Sequence, residues 1–207
     1  MLSWPQISLF TAASLILIFT PGPDIVYVMT RGMAQGRRAA LAAAAGFALG
    51  NFVHTFFVVV GLSALLMASP LAFQIVKWAG AAYLIYLGIK MIRSASSPSD
   101  SKTGPSMTGW AVFRQSIIAN VLNPKVALFF LAFFPQFINR SQGHPQIQMV
   151  LLGTLFVLLT LICFGMVGFF SGSLGQWLQK NKRLETRLIK IAGGIFILLG
   201  LSLAWPH

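Results

Sequence analysis

The chain has 207 residues, of which 57% are hydrophobic and only 9% are charged, and its formal net charge is +12. Soluble domains carry about 25% charged residues, and apolar stretches of about 20 residues recur along the whole sequence, so the composition excludes a soluble protein and predicts an all-α integral membrane protein. The basic residues form short clusters between apolar segments, which argues against a nucleic-acid partner.

Hydropathy predicts six membrane segments. Their approximate bounds are 3–33, 39–68, 70–92, 113–138, 146–172 and 186–204. Segments one, two and four are long for simple spans, so we expect tilt or a break in them. The first segment is expected to remain as a membrane helix, because the N-terminal stretch "MLSWPQISLF" lacks the basic residues of a signal peptide.

The first segment is interrupted by "TPGPDIVYV" at 20–28. Pro21 and Pro23 remove backbone donors and predict a break, which membranes tolerate only where the backbone is buried in protein or lines a wet cavity. Asp24 follows the break, and it either caps the next half-helix or serves function. An acid near the bilayer centre costs at least about 2.5–3.5 kcal/mol, which favours function. Pro21, Gly22, Pro23 and Asp24 are therefore candidate substrate-binding or coupling residues.

The second segment contains two further candidates, Asn51 and His54, which share one helix face. His54 could relay protons near neutral pH, or it could be a hydrogen-bonded packing histidine. The GxxxG matches at 46–50 and 168–172 predict close helix packing.

A polar linker at 95–112 divides the chain into two halves, at about 1–94 and 113–207. The two halves contain similar sequences, since "KWAGAAYLIYLG" from Lys77 resembles "KIAGGIFILLG" from Lys190. Three crossings per half would turn the second copy upside down, so we expect a single transporter domain of two inverted three-helix repeats. Chance similarity between glycine-rich helices is the alternative.

The fourth segment repeats the pattern of the first, because Lys125 follows a predicted break at Asn123 and Pro124. In an inverted repeat Lys125 and Asp24 would be equivalent and would converge. Asp24 could then bind the ammonium of a zwitterion while Lys125 binds its carboxylate, and without substrate the two could pair. Alternatively, Lys125 extends to the membrane surface. Asn120 could line the cavity or join helices.

Sequence motifs for catalysis are missing. The chain has neither HExxH nor GxSxG, and Cys163 is its single cysteine. We therefore expect no catalytic residue, metal site or cofactor.

The positive-inside rule predicts the topology. Three basic residues lie in the first connection, four flank the connection between segments three and four, and five flank the last, which leaves only three of the 15 Lys and Arg residues elsewhere. These three connections should be cytoplasmic, so both termini should face outward.

The sequence resembles the LysE/RhtB family of bacterial amino-acid exporters over essentially its full length. The resemblance rests on the stretch 21–24, on "NPKVALFFLAFFPQF" in segment four and on "AGAAYLIYLGIKMIR" in segment three. It implies an inner-membrane efflux carrier for amino acids or related metabolites, driven by a proton or ion gradient. It also supports Asp24, Asn123, Pro124 and Lys125 as motif positions.

The substrate is expected to be a neutral amino acid such as threonine, homoserine or leucine, because no further acid lies within the membrane segments. The expected partners are this amino acid, a coupling proton or ion and the lipid bilayer; a homo-oligomer is left open. A channel or a non-transporting membrane subunit is the alternative function, and an intramembrane enzyme is a more distant one.

Overall fold

A computed structural model of the chain describes residues 2–62, 70–94, 106–173 and 181–204. These ranges are almost entirely helical and contain no strand. The helices are α1 Trp4–Phe19, α2 Pro23–Gln35, α3 Arg37–Phe57, α4 Pro70–Ser94, α5 Gly109–Val121, α6 Pro124–Leu128, α7 Pro145–Phe169 and α8 Lys182–Ala204. Shorter π or 3-10 turns follow α3 and α6 at Val58–Leu62, Phe129–Phe133, Phe134–Phe137 and Arg140–Gln142.

Four apolar spans can be formed by the described helices. Arg37–Gly61 and Pro145–Phe169 are each 25 residues long, with mean hydropathies of 1.7 and 2.6. Two further spans are long and apolar enough only when two helical segments are taken together. These are α1 with α2, bent by 56°, and α5 with 124–137, bent by 45°. The bends lie at the two proline motifs, where the sequence predicts breaks.

The polar linker predicted at 95–112 lies largely outside the described residues. Its last part is helical, because α5 already begins at Gly109. Thr108 caps this helix, accepting a hydrogen bond from the Ala111 N–H at 3.2 Å.

α4 and α8 pack along each other with their backbones in close approach. A Cβ on Gly88 would lie 2.4 Å from the Gly193 carbonyl oxygen, and one on Gly200 would lie 2.8 Å from the Ala81 carbonyl oxygen. Small residues permit this approach, as is common between membrane helices. The apolar part of α8 is the shorter stretch Ile189–Ala204, so six spans remain a prediction.

α3 lies between α5 and α7 and contacts both. A Cβ on Gly46 would lie 2.4 Å from the Phe113 carbonyl oxygen, and one on Gly50 would lie 2.7 Å from Asn120 Cβ. Gly168 of α7 similarly approaches Ala40, whereas Gly172 has no neighbour within 4 Å. This packing brings the polar residues of α3 next to the end of α5.

Candidate functional site

The first break leaves backbone carbonyls without helical partners. Pro21 has no N–H, so it cannot donate to the Leu17 carbonyl as an unbroken helix would require. Lys125 reaches this break from α6, and its Nζ lies 3.5 Å from Leu17 O and 3.4 Å from Thr20 O. A side chain from the second break therefore contacts the carbonyls freed by the first.

The second break is stabilised in a similar way. Pro124 cannot donate to the Asn120 carbonyl, which instead lies 3.1 Å from His54 Nε2 and accepts from Asn123 N at 2.9 Å. Because a carbonyl oxygen only accepts, the contact requires a proton on Nε2. The buried His54 ring also stacks on Phe130, with the ring centroids 5.4 Å apart. These contacts are those of the packing histidine, one of the two alternatives from the sequence.

Asp24 and Lys125 form a buried ion pair between the two broken segments. Each is the second residue of a helix that begins with proline. Lys125 Nζ lies 2.7 Å from Asp24 Oδ2 and 2.9 Å from Oδ1. The side chains of Asp24 and Lys125 are only 4% and 6% exposed, so Lys125 does not extend to the membrane surface. Removing one partner of a buried pair costs about 3–5 kcal/mol, so each charge requires a counter-charge.

Gly22 and Asn123 position this ion pair. A Cβ on Gly22 would lie 2.7 Å from Asp24 Oδ1 and 2.9 Å from Lys125 Nζ, so only glycine leaves room for the two charged groups at this distance. Asn123 is the N-cap of α6, and its Oδ1 accepts from Lys125 N at 3.0 Å. The cap fixes the start of the helix that carries Lys125.

A small cavity of about 10 Å³ borders the ion pair. This volume holds roughly one water molecule, so an amino acid could enter only after the surrounding helices move apart. Half of the lining residues are polar. The lining consists of Asp24, Asn51, Asn120, Lys125, Thr160, Leu17, Ile18, Val126, Phe156 and Phe164.

The polar lining residues on α3 and α7 are joined by hydrogen bonds. Thr160 Oγ1 donates to Phe156 O at 2.8 Å, and Asn51 Nδ2 donates to Thr160 Oγ1 at 3.0 Å. Asn51 Oδ1 is buried without a hydrogen-bond partner, and so is Asn120 Oδ1. The cavity is thus lined by the ion pair and by two asparagines whose amide oxygens are buried without a partner.

Residues 15–206 match the model of the LysE type translocator family. The chain belongs to this family. The match covers both helix breaks and the ion pair, and together with the apolar helices it makes the chain a multi-pass membrane protein.

Several relatives of this LysE-family protein match nearly its full length. The homoserine/homoserine lactone efflux protein of Salmonella typhimurium is 34% identical over 196 residues, which is 94% of each chain. An uncharacterized membrane protein of Vibrio cholerae is 31% identical over 195 residues, again 94% of each chain. The leucine efflux protein of an Enterobacter species is 28% identical over 199 residues, 96% of this chain and 94% of that protein. No solved structure matches the chain.

In this LysE-family chain, aromatic and polar contacts join separate helices on the side of the ion pair nearer the N-terminal end of α1. The Phe10 ring packs edge-on against Phe134 and Phe137, with centroids 5.4 and 5.1 Å apart. Gln6 Nε2 donates to Phe137 O and, at 3.3 Å, to Gln148 Oε1. Aromatic packing and a glutamine network therefore join α1, α7 and the turns after α6 on this side.

A second network of contacts lies on the side nearer the C-terminal end of α2. The Tyr27 hydroxyl lies 2.5 Å from Gln115 Oε1, and Arg31 Nη1 donates to Gln35 Oε1 at 2.8 Å. Gln35 Nε2 donates to Met107 O at 2.8 Å. These contacts join α2 to the start of α5 and the residues before it.

Four candidates predicted from the sequence lie around one cavity in the structure: Asp24, Lys125, Asn51 and Asn120. The sequence analysis did not identify three further lining residues on α7, which are Thr160, Phe156 and Phe164. Thr160 could have been found as a polar residue within an apolar stretch, "LLGTLFVLLTLICF". The two phenylalanines carry no such signal, because aromatic residues are frequent throughout this chain.

Proposed function

We propose that this chain is a secondary transporter that exports a neutral amino acid across the bacterial inner membrane and uses a proton or another ion gradient. Membership of a translocator family supports transport rather than catalysis. Relatives named for homoserine and leucine efflux support an amino-acid substrate and the outward direction. The observation that carries the proposal is the buried Asp24–Lys125 ion pair at two helix breaks.

The chemistry of the ion pair suits a zwitterion. The α-ammonium of an amino acid replaces Lys125 as the partner of Asp24, and the α-carboxylate replaces Asp24 as the partner of Lys125. Both protein charges therefore keep a counter-charge when substrate binds, which avoids the cost of an unpaired buried charge. A neutral side chain fits best, because Asp24 is the only acid that lines the described cavity and it is needed for the ammonium.

Transport requires the cavity to enlarge and to open to one side at a time. In our proposal, separating α2 from the residues before α5 opens the site to the cytoplasm. Separating α1 from the turns after α6 opens it to the outside. Six helices in two inverted repeats, with both termini outside, would let one half rock against the other around the fixed breaks. The two separate contact networks, one on each side of the ion pair, support this mechanism.

Efflux of a labelled amino acid from loaded proteoliposomes tests the proposal. Asp24→Asn and Lys125→Met should each reduce export at least about 100-fold, because each leaves one buried charge without a partner. Lys190→Met, which removes an exposed lysine of α8, is the matched control and should export at the parental rate.

The double variant Asp24→Asn/Lys125→Met distinguishes a loss of substrate binding from a loss of folding stability. It removes both charges, so its thermal stability should exceed that of either single variant, yet it should remain inactive. Export at the parental rate by this double variant would show that the ion pair is not the substrate site.

A further inference from the structure

A second cavity is a groove between α1 and the pair formed by α4 and α8, and it shares no lining residue with the cavity beside the ion pair. Its volume is about 660 Å³, within the range of about 300–1,000 Å³ of pockets that bind small molecules. Most of the lining is apolar, with Leu9 and Ile16 from α1, Leu199 from α8, and Phe133 and Phe137 from the turns after α6. The groove therefore suits a ligand with a long apolar part.

Lys77 of α4 supplies the charge of this groove. Among the described residues that line it, no other is charged. Lys77 is partly buried, and in the described part of the chain it forms neither an ion pair nor a hydrogen bond. A cation that is partly removed from water and has no counter-charge favours an anionic ligand.

Exposed tryptophans indicate how deep Lys77 lies in the membrane. Lys77 follows Pro70, the first residue of α4, by about two helical turns. The adjacent Trp78 is 56% exposed, and Trp4 at the start of α1 is 79% exposed. Tryptophan is enriched where the lipid headgroups meet the hydrocarbon, and a lysine near a helix end extends its ammonium to this level. The Lys77 ammonium can therefore reach a lipid headgroup.

Gln136 supplies a second hydrogen-bond donor near Lys77. Gly80 of α4 packs directly against Ala132, and Lys77 precedes Gly80 by one turn, while Gln136 follows Ala132 by one turn. In the proposed topology α4 and 124–137 run in opposite directions, so both side chains lie on the outer side of this contact. Gln136 Nε2 donates to Ala132 O at 3.3 Å, which leaves its second amide proton for a ligand. An ammonium and an amide N–H together suit phosphate oxygens.

We propose that this groove binds one anionic phospholipid of the outer leaflet, with its phosphate at Lys77 and Gln136 and one acyl chain along the apolar lining. An amino acid leaving the transporter is a poorer occupant, because its ammonium would meet Lys77 and no acid lines the groove among the described residues. Lipid binding can be measured without transport, so the proposal goes beyond the proposed function. Only the choice of leaflet depends on the proposed topology.

Photoreactive lipids test the site. The full chain is reconstituted in phosphatidylcholine vesicles that contain a trace of phosphatidylglycerol or phosphatidylcholine carrying the same diazirine-bearing acyl chain, and mass spectrometry identifies the labelled peptides. Labelling of the groove residues on α1 and α8 should be about fivefold stronger with phosphatidylglycerol, because one lysine near the membrane surface attracts an anionic lipid to about this extent. Equal labelling by the two headgroups would mean that the groove holds bulk lipid, and it would overturn the proposal.

Lys77→Met tests the headgroup contact. It should bring the labelling ratio of phosphatidylglycerol to phosphatidylcholine close to one, while labelling by phosphatidylcholine stays at the parental level, which a misfolded protein would not show. Lys190→Met is the matched control, because Lys190 is an exposed lysine of α8 that does not line the groove, and it should keep the parental ratio. A parental ratio in Lys77→Met would overturn the proposal.

Ala12→Phe tests the acyl-chain contact. Ala12 is an exposed α1 residue that lines the groove, so the larger ring should fill the groove and reduce labelling of its residues by both lipids. Ala82→Phe adds the same ring at an exposed α4 position outside the groove and should not change the labelling. Undiminished labelling in Ala12→Phe would overturn the site. A protein that shows the lipid preference but exports no amino acid would contradict the proposed function and support the lipid site.

Discussion

At each helix break, a missing proline N–H, that of Pro21 or Pro124, leaves a backbone carbonyl that a distant side chain then contacts. Lys125 Nζ contacts Leu17 O across the first break, and His54 Nε2 contacts Asn120 O across the second. Lys125 therefore has two roles, since it neutralises Asp24 and also satisfies backbone oxygens. Its replacement should affect folding more than replacement of Asp24, which is not needed for those carbonyl contacts.

The Gly22→Ala variant tests how closely the ion pair is packed. The added methyl would lie within 3 Å of both charged groups, so it should push them apart. We expect export to fall about tenfold or more, because overpacking a buried site costs about 1–3 kcal/mol. Rates from loaded proteoliposomes would measure this.

Gly165→Ala is the control for that experiment. Gly165 lies within α7, where an added Cβ would have no neighbour within 4 Å, and alanine favours helices over glycine by about 1 kcal/mol. Its export should match the parental rate. A Gly22→Ala protein as active as Gly165→Ala would mean that the ion pair tolerates displacement.

At the scale of whole elements, α4 and α8 meet where the backbone at glycines of one helix approaches the backbone and isoleucine side chains of the other. Gly88 and Gly193 face each other, and a Cβ on either would approach the other's carbonyl oxygen to 2.4 or 2.7 Å. Lipid tails are as apolar as leucine, so close packing is what favours helix association inside a membrane. The glycines therefore let α4 and α8 approach closely, with the side chains of Ile85, Ile92 and Ile197 packed against them.

Gly193→Leu should separate these two helices, whereas Gly194→Leu should not. Gly193 is in contact with α4, while a Cβ on the adjacent Gly194 has no neighbour within 4 Å. We expect Gly193→Leu to lose about 1–3 kcal/mol of stability through overpacking. Thermal unfolding in detergent would measure the difference, and equal melting temperatures for the two variants would contradict the packing described here.

At the scale of the whole molecule, basic residues are concentrated in three of the five predicted connections. The positive-inside rule predicts that those connections lie in the cytoplasm. The contact network near the C-terminal end of α2 would then face the cytoplasm, and the one near the N-terminal end of α1 would face outward. In the proposed mechanism, the side to which each network opens depends on this orientation.

Cysteine labelling tests the orientation. Cys163 is buried, and Cys163→Ser provides a background without thiols. On it, Gln142→Cys should react with a membrane-impermeant maleimide in intact cells, whereas Ala34→Cys should react only after permeabilisation; both positions are exposed. The reverse pattern would invert the proposed topology.

Local chemistry made part of the site predictable. Pro21 and Pro124 exclude a backbone hydrogen bond in any fold, so the two breaks followed from the residues themselves. Asp24 and Lys125 were notable because charges are costly inside a membrane. The partner of His54 could not be predicted, since it depends on which helix end packs against α3.

The sequence by itself determined a helical membrane protein, its breaks and the charged residues beside them, because hydropathy, missing N–H groups and charge are properties of single residues and short segments. Pairing with Asp24, which is 101 residues away, was one of two sequence-based alternatives for Lys125, and only the tertiary structure decided between them. It also decided that Asn51 and Thr160 share a hydrogen bond and that separate contact networks join the helices on the two sides of the ion pair. These features depend on how separate helices pack, and packing is set by the shapes of many side chains together.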